Sequence, residues 1–234
     1  WKMFGSLNSL KSLNRLVKFF KTFKNNKSLK IIYCPPNTLI RPMSKKLEFS
    51  KIDVGAQNCH ENENFGAFTG SVNSQMLKNV GAKYVIIGHS ENRKSGETDK
   101  LINLKIKSAL KSRLKVIFCI GETLKEKRKK ITNKVLDLQI KKGLNKIKNK
   151  KNILIAYEPV WSIGSGLIPK PINLLNTISF IKSKLKKNKI LYGGSVNHKN
   201  ISQLKSIDII DGFLVGGASQ DSKKFIDIIK KTYN

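Results

Sequence analysis

The sequence predicts an α/β fold, a single (β/α)8 barrel whose first strand is truncated or missing in this chain. Short apolar runs alternate with longer stretches of helical periodicity, a pattern typical of parallel strands joined by helical crossovers. No linker interrupts the 234 residues. That length suits one barrel, since such barrels hold about 250 residues. We therefore expect one domain over residues 1–234.

The strands are predicted from apolar runs of about 4–7 residues, the length of buried parallel strands. Several of these runs end in Gly or a polar residue, which favours a strand-to-loop transition. The runs are Leu29–Cys34, Ile52–Asn58, Tyr84–Gly88, Lys115–Ile120, Ile153–Glu158, Ile190–Gly193 and Gly212–Val215. An eighth strand would have to precede Lys2. The chain begins with Trp rather than Met, so we expect that upstream residues are absent or that the barrel is open there.

Three stretches outside these runs are amphipathic: Leu7–Asn25, Lys100–Ser112 and Ile172–Lys187. Apolar residues recur in them at steps of three and four, as on one face of a helix. The expected buried positions are Leu10, Leu13, Leu16, Val17 and Phe20, then Leu101, Leu104 and Ala109, and finally Leu175, Ile178, Phe180, Ile181 and Leu185.

The charge is strongly positive, with 46 Lys and Arg against 15 Asp and Glu and a formal net charge of +31. Such a charge attracts polyanions and anionic substrates. The lysines are scattered along the whole chain, which favours compositional drift over a selected nucleic-acid surface. No RRM, KH or zinc pattern is present, so no specific nucleic-acid partner is expected.

The cysteines Cys34, Cys59 and Cys119 form no CxxC pair and have no metal-ligand spacing. Free thiols are typical of a reducing compartment, and we expect a cytoplasmic protein. No apolar run reaches the ~18–20 residues of a membrane span, so no membrane association is expected.

Glu158 is the first candidate for chemistry, because it ends an apolar strand that Pro159 stops at once. The carboxyl ends of barrel strands carry the active site. The loop that follows holds Trp161, Gly164 and Gly166, which suits a mobile flap. On this residue alone, a structural ion pair at the strand end is an equally good interpretation.

His89 and two glycine turns complete the candidate site. A lone His is more often structural, but His89 also follows a buried strand and should lie at the same end as Glu158. The turns are Gly193-Gly194-Ser195 and Gly216-Gly217, after the last two strands. Backbone N–H groups at such turns bind phosphate.

Eight ordered motifs resemble those of the triosephosphate isomerases. They are Trp1-Lys2-Met3, Gly55-Ala-Gln-Asn58, Gly66-Ala-Phe-Thr-Gly70, Gly88-His-Ser-Glu91, Cys119-Ile-Gly-Glu122, Ala156-Tyr-Glu-Pro-Val-Trp161, Tyr192-Gly-Gly-Ser-Val196 and Leu214-Val-Gly-Gly-Ala-Ser219. The chain departs from the family pattern at Phe4, Ser71 and Asn92, where the family has Asn, an acid and Arg.

The resemblance implies a TIM barrel that isomerises a small phosphorylated triose in glycolysis and gluconeogenesis, interconverting dihydroxyacetone phosphate and D-glyceraldehyde 3-phosphate without cofactor or metal. This family is a standard example of proton transfer by a carboxylate beside a neutral imidazole. Glu158 matches the base, His89 the electrophile and Lys2 the lysine that stabilises negative charge. Glu91 matches the acid that orients this lysine.

The resemblance also implies which groups hold the phosphate and the partner subunit. Gly164, Ser195, Gly216 and Gly217 match the backbone donors to the phosphate, and Pro159 to Gly166 matches the mobile lid. Cys119 matches a cysteine near the site, which we interpret as a packing residue. The loop around Thr69 matches the segment that enters the partner subunit, so a symmetric homodimer is expected.

Two other functions remain open on the sequence. The charge of +31 would suit a nucleic-acid-binding module, which should bind tightly at high salt if the surface is selected. The short N-terminus would suit a degenerate barrel without activity.

Overall fold

The computed structural model describes residues 1–24 and 29–233. Seven parallel strands form one sheet in which neighbours in the chain are neighbours in space. The strands are β1 (Ile32–Tyr33), β2 (Asp53–Ala56), β3 (Tyr84–Ile87), β4 (Lys115–Ile120), β5 (Ile153–Tyr157), β6 (Ile190–Tyr192) and β7 (Gly212–Phe213). Each strand lies within one of the seven predicted runs, and most are shorter because the run continues into a loop.

Helices connect the strands, as the alternating pattern predicts. They are α1 (Leu13–Thr22), α2 (Asn37–Leu47), α3 (Ser74–Asn79), α4 (Ser90–Lys94), α5 (Asp99–Lys111), α6 (Leu124–Arg128), α7 (Thr132–Gly143), α8 (Pro171–Lys184), α9 (Ile201–Lys205) and α10 (Ser222–Tyr233). Three short 3₁₀ helices cover Leu7–Ser12, Val160–Ser162 and Gly217–Gln220.

The strands alternate their side chains between two apolar layers. In β3 and β4, Val85, Ile87 and Phe118 pack in the layer shared with the helices. Ile86 and Ile117 belong to a second cluster, which only strand residues and their flanking loops form among the described residues. An outer helical layer around an inner strand-lined layer is the packing of a barrel.

The sheet has two edges among the described residues, since β1 and β7 do not pair with each other. Trp1 spans these edges at the carboxyl ends of the strands. Its indole Nε1 donates to the Ser219 carbonyl oxygen, which follows β7, at 3.1 Å. Its ring also packs edge-on against Tyr33 of β1 at 6.1 Å. This bridge brings the neighbouring Lys2 to the mouth of the sheet.

The first amphipathic stretch folds largely as predicted. It begins as the 3₁₀ helix Leu7–Ser12 and continues as α1. Leu10, Leu13, Leu16 and Phe20 are buried, and Val17 is half-buried against the same core. Asn25, the predicted last residue of this stretch, lies outside the described residues.

The predicted buried face of α5 is wrong in part. Ala109 is buried, but Leu104 is 44% exposed, and Leu101 is half-buried. Ile102 and Ile106 join Ala109 on the buried face. These three residues recur at steps of four and three, so they share one helical face, and Leu104 lies opposite it.

A similar shift corrects α8. Leu175, predicted to be buried, is 37% exposed, and its neighbour Leu174 is buried instead. Leu174, Ile178 and Ile181 recur at steps of four and three and form the face that meets the core. The burial of Ile178, Ile181 and Leu185 is confirmed, and Phe180 packs partly buried against the core.

Within residues 1–24 and 29–233, every helix is too short or too polar to cross a membrane.

The corrected face of α5 gives a paired test. Ile106→Ala removes a side chain with no exposed surface, which should cost about 2–5 kcal/mol of unfolding free energy. Leu104→Ala should change it by less than about 0.5 kcal/mol, because surface substitutions usually do. Chemical denaturation of both variants measures the difference. Equal losses would contradict this assignment of the helix face.

Candidate active site

A cavity of about 750 Å³ opens at the carboxyl ends of the strands. The cavity extends along the inside of the sheet as far as Lys30 and Lys115, which lie near the starts of their strands. Residues of β1 and β7 also line it. Every site residue predicted from the sequence lines it: Lys2, His89, Glu91, Glu158, Gly164, Ser195, Gly216 and Gly217. The structure thus brings together residues that lie up to 215 positions apart along the chain.

Glu158 and His89 are in direct contact at this end of the cavity. The imidazole Nε2 lies 3.2 Å from Glu158 Oε1. Glu158 directly follows β5, and His89 lies two residues after the end of β3. The Glu158 N–H continues the ladder by donating to the Ile120 carbonyl oxygen at 2.8 Å. The sheet backbone therefore sets the separation of the two side chains.

The hydrogen bonds of His89 define its tautomer. The Glu91 backbone N–H donates to Nδ1 at 3.2 Å, so this nitrogen carries the lone pair. A neutral imidazole then has its proton on Nε2, the atom that faces Glu158. Burial lowers the pKa of His89, and Glu91 opposes this only in part. The site thus holds a neutral imidazole that can donate a hydrogen bond into the cavity.

Glu158 is only 2% exposed. Burial raises the pKa of its carboxyl group to about 8, against the opposing effect of the Ser90 N–H and the Cys119 thiol. The Ser90 N–H lies 3.4 Å from Glu158 Oε2. Desolvation is therefore the dominant influence, and it makes the carboxylate a stronger base than a glutamate in water.

Cys119 does more than the sequence prediction assigned to it. Its side chain is fully buried in the inner cluster, as expected for a packing residue. Its thiol also hydrogen-bonds the Glu158 carboxylate, and burial raises the pKa of this thiol well above its usual range. The thiol therefore stays protonated and serves as a donor to the carboxylate.

Lys2 reaches the site through an ion pair and a strained backbone. Its ammonium Nζ lies 2.6 Å from Glu91 Oε1, and this bond lowers the pKa of the Glu91 carboxyl group. Lys2 has φ 50°, in the left-handed region that non-glycine residues rarely occupy. Gln57 holds this conformation, because its Nε2 donates to the Lys2 carbonyl oxygen at 2.8 Å.

Arg93 and Gln57 hold the backbone around the site, and neither was predicted from the sequence as a site residue. The Arg93 guanidinium donates to the Gly88 carbonyl oxygen at 2.8 Å and to that of Cys119 at 3.1 Å. It therefore joins the ends of β3 and β4 beside His89. Two features of the sequence could have indicated these residues. Arg93 lies two positions after the Gly88–Glu91 motif, and Gln57 lies within the Gly55–Asn58 motif.

The glycine turn after β6 lies against the Glu158 carboxylate. A Cβ on Gly193 would lie 2.9 Å from Glu158 Cγ, so the backbone must pass this close without a side chain. Ser195 follows in the same turn and lines the cavity. Gly216 and Gly217, after β7, line it too and have open space beside them.

The loop after Glu158 is anchored at its start and open at its tip. The Trp161 indole Nε1 donates to Glu122 Oε1 at 2.9 Å, and the Lys127 ammonium lies 3.2 Å from the centre of the Trp161 ring. At the tip, Gly164 and Gly166 have φ 70° and 78°, and a Cβ on either would contact nothing. This arrangement suits a segment that pivots on its anchored base.

Among residues 1–24 and 29–233, no three His, Cys, Asp or Glu side chains are grouped so that they could hold a metal ion.

The profile of the family described as triosephosphate isomerase matches residues 1–232. The chain belongs to this family. Triosephosphate isomerase of Carboxydothermus hydrogenoformans is 45% identical over 212 residues, which cover 86% of this chain and 84% of the relative. Triosephosphate isomerase of Thermodesulfovibrio yellowstonii is 41% identical over 239 residues, covering 98% of this chain and 96% of the relative.

A solved structure of the triosephosphate isomerase family has the same fold. The crystal structure of triosephosphate isomerase from Bartonella henselae matches with a TM-score of 0.90 and 32% identity, over 100% of this chain and 97% of that chain. The predicted resemblance and the predicted TIM barrel are confirmed. The seven-stranded sheet fits such a barrel with a missing or truncated strand, as expected.

The raised pKa of Glu158 predicts that this residue destabilises the fold as the pH rises. Below about pH 4.5 the carboxyl group is protonated in both the folded and unfolded states. Between that pH and about 8 only the unfolded state ionises, so the unfolding free energy falls. Glu158→Gln removes this penalty, so its Tm should exceed that of the wild type by about 5 °C or more at pH 9.

The same Tm difference should nearly vanish at pH 4. The exposed Glu48 gives a matched control, because Glu48→Gln should change Tm little at either pH. A Tm difference for Glu158→Gln that does not grow with pH would contradict the desolvated state of this carboxyl group.

Proposed function

We propose that this chain catalyses the interconversion of dihydroxyacetone phosphate and D-glyceraldehyde 3-phosphate. The contact of 3.2 Å between His89 Nε2 and Glu158 Oε1 carries this proposal. A buried carboxylate and a hydrogen-bond donor at this separation can contact adjacent atoms of one three-carbon substrate, which supports their roles in the reaction. Family membership over residues 1–232 supports the same substrate.

Glu158 is the base that moves the proton. Its carboxylate takes a proton from one carbon of the substrate, and the electron pair moves onto the carbonyl oxygen to give an enediolate. The carboxyl group then returns a proton to the neighbouring carbon, while the hydroxyl proton of the enediolate passes to the former carbonyl oxygen, so that the new carbonyl group forms. A pKa near 8 suits this exchange, because a base acts best when its pKa lies near the working pH.

His89 and Lys2 stabilise the charge that develops on the substrate oxygens. The Nε2–H of His89 donates a hydrogen bond to the carbonyl oxygen, and a neutral donor can also exchange its proton with the enediolate. The ammonium of Lys2 adds a positive charge, which Glu91 holds at the mouth of the cavity. Both groups are in place before substrate arrives, so little reorganisation accompanies the reaction.

The phosphate group binds to backbone N–H groups of Gly164, Ser195, Gly216 and Gly217. These residues line the same cavity as Glu158. Clustered backbone amides are a favourable site for an anion. The loop from Pro159 to Gly166 closes over the bound substrate, and the exclusion of water protects the enediolate from losing phosphate.

We further propose a symmetric homodimer formed through the loop around Thr69. Residues 64–71 are exposed, and Phe65 and Phe68 of this loop are 68% and 46% exposed. Exposed aromatic side chains on one loop suit insertion into a partner. Phe65→Asp should give monomers in light scattering, whereas Phe49→Asp, at an exposed side chain outside this loop, should leave the dimer intact.

The other expectations of the sequence stay predictions. These are the absence of a cofactor, a role in glycolysis and gluconeogenesis, and a cytoplasmic location. The cysteines Cys34, Cys59 and Cys119 are all free, which is compatible with a reducing compartment.

Glu158→Asp tests the role of the base. It keeps the carboxylate but withdraws it by about 1.5 Å, and a misplacement of this size costs about 100-fold in rate. We expect kcat, measured in a coupled assay with glyceraldehyde 3-phosphate, to fall at least that far while the fold is retained by circular dichroism. Glu48→Asp, at an exposed carboxylate, is the matched control and should keep full activity.

Two outcomes would contradict the proposal at different levels. Wild-type turnover in Glu158→Asp would show that Glu158 is not the base. A folded wild-type protein without isomerase activity would show that the reaction itself is wrongly assigned.

A further inference from the structure

Ser162 is a buried hydroxyl at the base of the loop that follows Glu158, and the proposed reaction does not use it. It has no exposed surface. Its Oγ donates to the Leu167 carbonyl oxygen at 2.5 Å and lies 3.2 Å from the Tyr192 hydroxyl. The Ser195 backbone N–H donates to the same Oγ at 3.3 Å.

These contacts use every hydrogen-bonding position of the Ser162 hydroxyl. A serine hydroxyl has one proton to donate and two lone pairs to accept with. The proton goes to Leu167, because a carbonyl oxygen can only accept. Tyr192 must therefore donate to Ser162, and it can, since burial raises the pKa of Tyr192 to about 12 and keeps its hydroxyl protonated. The remaining lone pair accepts from Ser195.

The backbone of the turn is shaped to admit this hydroxyl. A Cβ on Gly194 would lie 2.7 Å from Ser162 Oγ and 2.2 Å from the Tyr192 hydroxyl oxygen. Only a residue without a side chain permits this approach. The contact between Ser162 and the Gly194–Ser195 turn is therefore built into the packing around both segments.

We propose that Ser162 is a positioning residue that occupies the Ser195 N–H in the ligand-free protein and releases it to the phosphate. The inference rests on the proposed function, in which this N–H is one of the phosphate donors. An N–H points along one direction, so it cannot bond Ser162 and a phosphate in the cavity equally well. Binding of phosphate must then replace the bond to Ser162.

The same hydroxyl connects this exchange to the loop. Ser162 ends the short helix Val160–Ser162, and its bond to the Leu167 carbonyl oxygen joins the two ends of the segment that holds Gly164 and Gly166. When phosphate takes the Ser195 N–H, the loop base loses one of its anchors to the barrel. Arrival of the phosphate thus loosens the loop that must close over it.

The test compares the wild type with two substitutions of one residue. Ser162→Ala deletes the acceptor and leaves the Ser195 N–H unoccupied. Ser162→Cys fills the space of the hydroxyl with a thiol, which is a poor acceptor. The probe is inorganic phosphate, measured as a competitive inhibitor of isomerisation and, independently of activity, by NMR titration of backbone amides.

We expect phosphate to bind about 2- to 10-fold more tightly to both variants, since one neutral hydrogen bond no longer competes. KM should fall with the inhibition constant, and by a larger factor than kcat changes. In the ligand-free protein, hydrogen exchange at the Ser195 amide should be faster in both variants than in the wild type. Saturating phosphate should remove this difference.

Each other outcome overturns the inference. Weaker phosphate binding in Ser162→Ala would show that the hydroxyl supports the site rather than competing with it. Unchanged binding would show that the bond to Ser195 does not compete. Wild-type behaviour of Ser162→Cys beside altered Ser162→Ala would assign the effect to a packing defect.

The amide titration separates this inference from the proposed function. If the wild-type protein binds phosphate at Ser195 but does not isomerise triose phosphates, the proposed reaction fails and the role of Ser162 can still be measured. If the protein isomerises and the variants bind phosphate as the wild type does, only the inference fails.

Discussion

The contact between the buried carboxyl group of Glu158 and the neutral imidazole of His89 governs the rest of the site. A carboxylate that is 2% exposed loses most of its hydration, and no buried cation pairs with it directly among the described residues. Its pKa rises to about 8 for this reason. The imidazole of His89 is neutral and carries its proton on Nε2, because the Glu91 backbone N–H donates a hydrogen bond to the lone pair of Nδ1. The ligand-free protein thus already has a carboxylate of high proton affinity in Glu158 and a hydrogen-bond donor in His89.

The surrounding backbone holds Glu158 and His89 in contact, despite the cost of desolvating the Glu158 carboxylate. The ladder from β4 to β5 fixes Glu158 through the Ile120 carbonyl oxygen, and the Arg93 guanidinium ties the ends of β3 and β4 together. The absence of a side chain at Gly193 lets the Gly193–Ser195 turn approach the Glu158 carboxylate. The backbone of Lys2 adopts the left-handed conformation, which brings its ammonium group to the same site. The strands therefore fix the positions of Glu158 and His89, whereas the loop that carries Ser162 and Gly164 is the part of the site that can change conformation.

Much of this arrangement could be predicted from the sequence, because parallel strands and their carboxyl ends follow from local patterns. Glu158 and His89 end apolar runs, and topology alone brings such positions to one face. Which face of a helix is buried depends less on local sequence. Leu104 and Ile106 both fit the apolar spacing of a helix, and only the packing against β3 and β4 determines that Ile106 is the buried one. The roles of Ser162 and Gln57 depend on contacts across 33 and 55 positions, which no local pattern encodes.

The protonation state of His89 is the most direct measure of the central claim. Nitrogen NMR of the imidazole in the ligand-free protein, followed from pH 5 to 9, reports which nitrogen carries the proton and whether the ring charges. We predict a neutral ring with its proton on Nε2 throughout most of this range, and a midpoint well below the ordinary value of 6.5 for histidine. A ring that titrates at or above that value, or carries its proton on Nδ1 when neutral, would contradict the account.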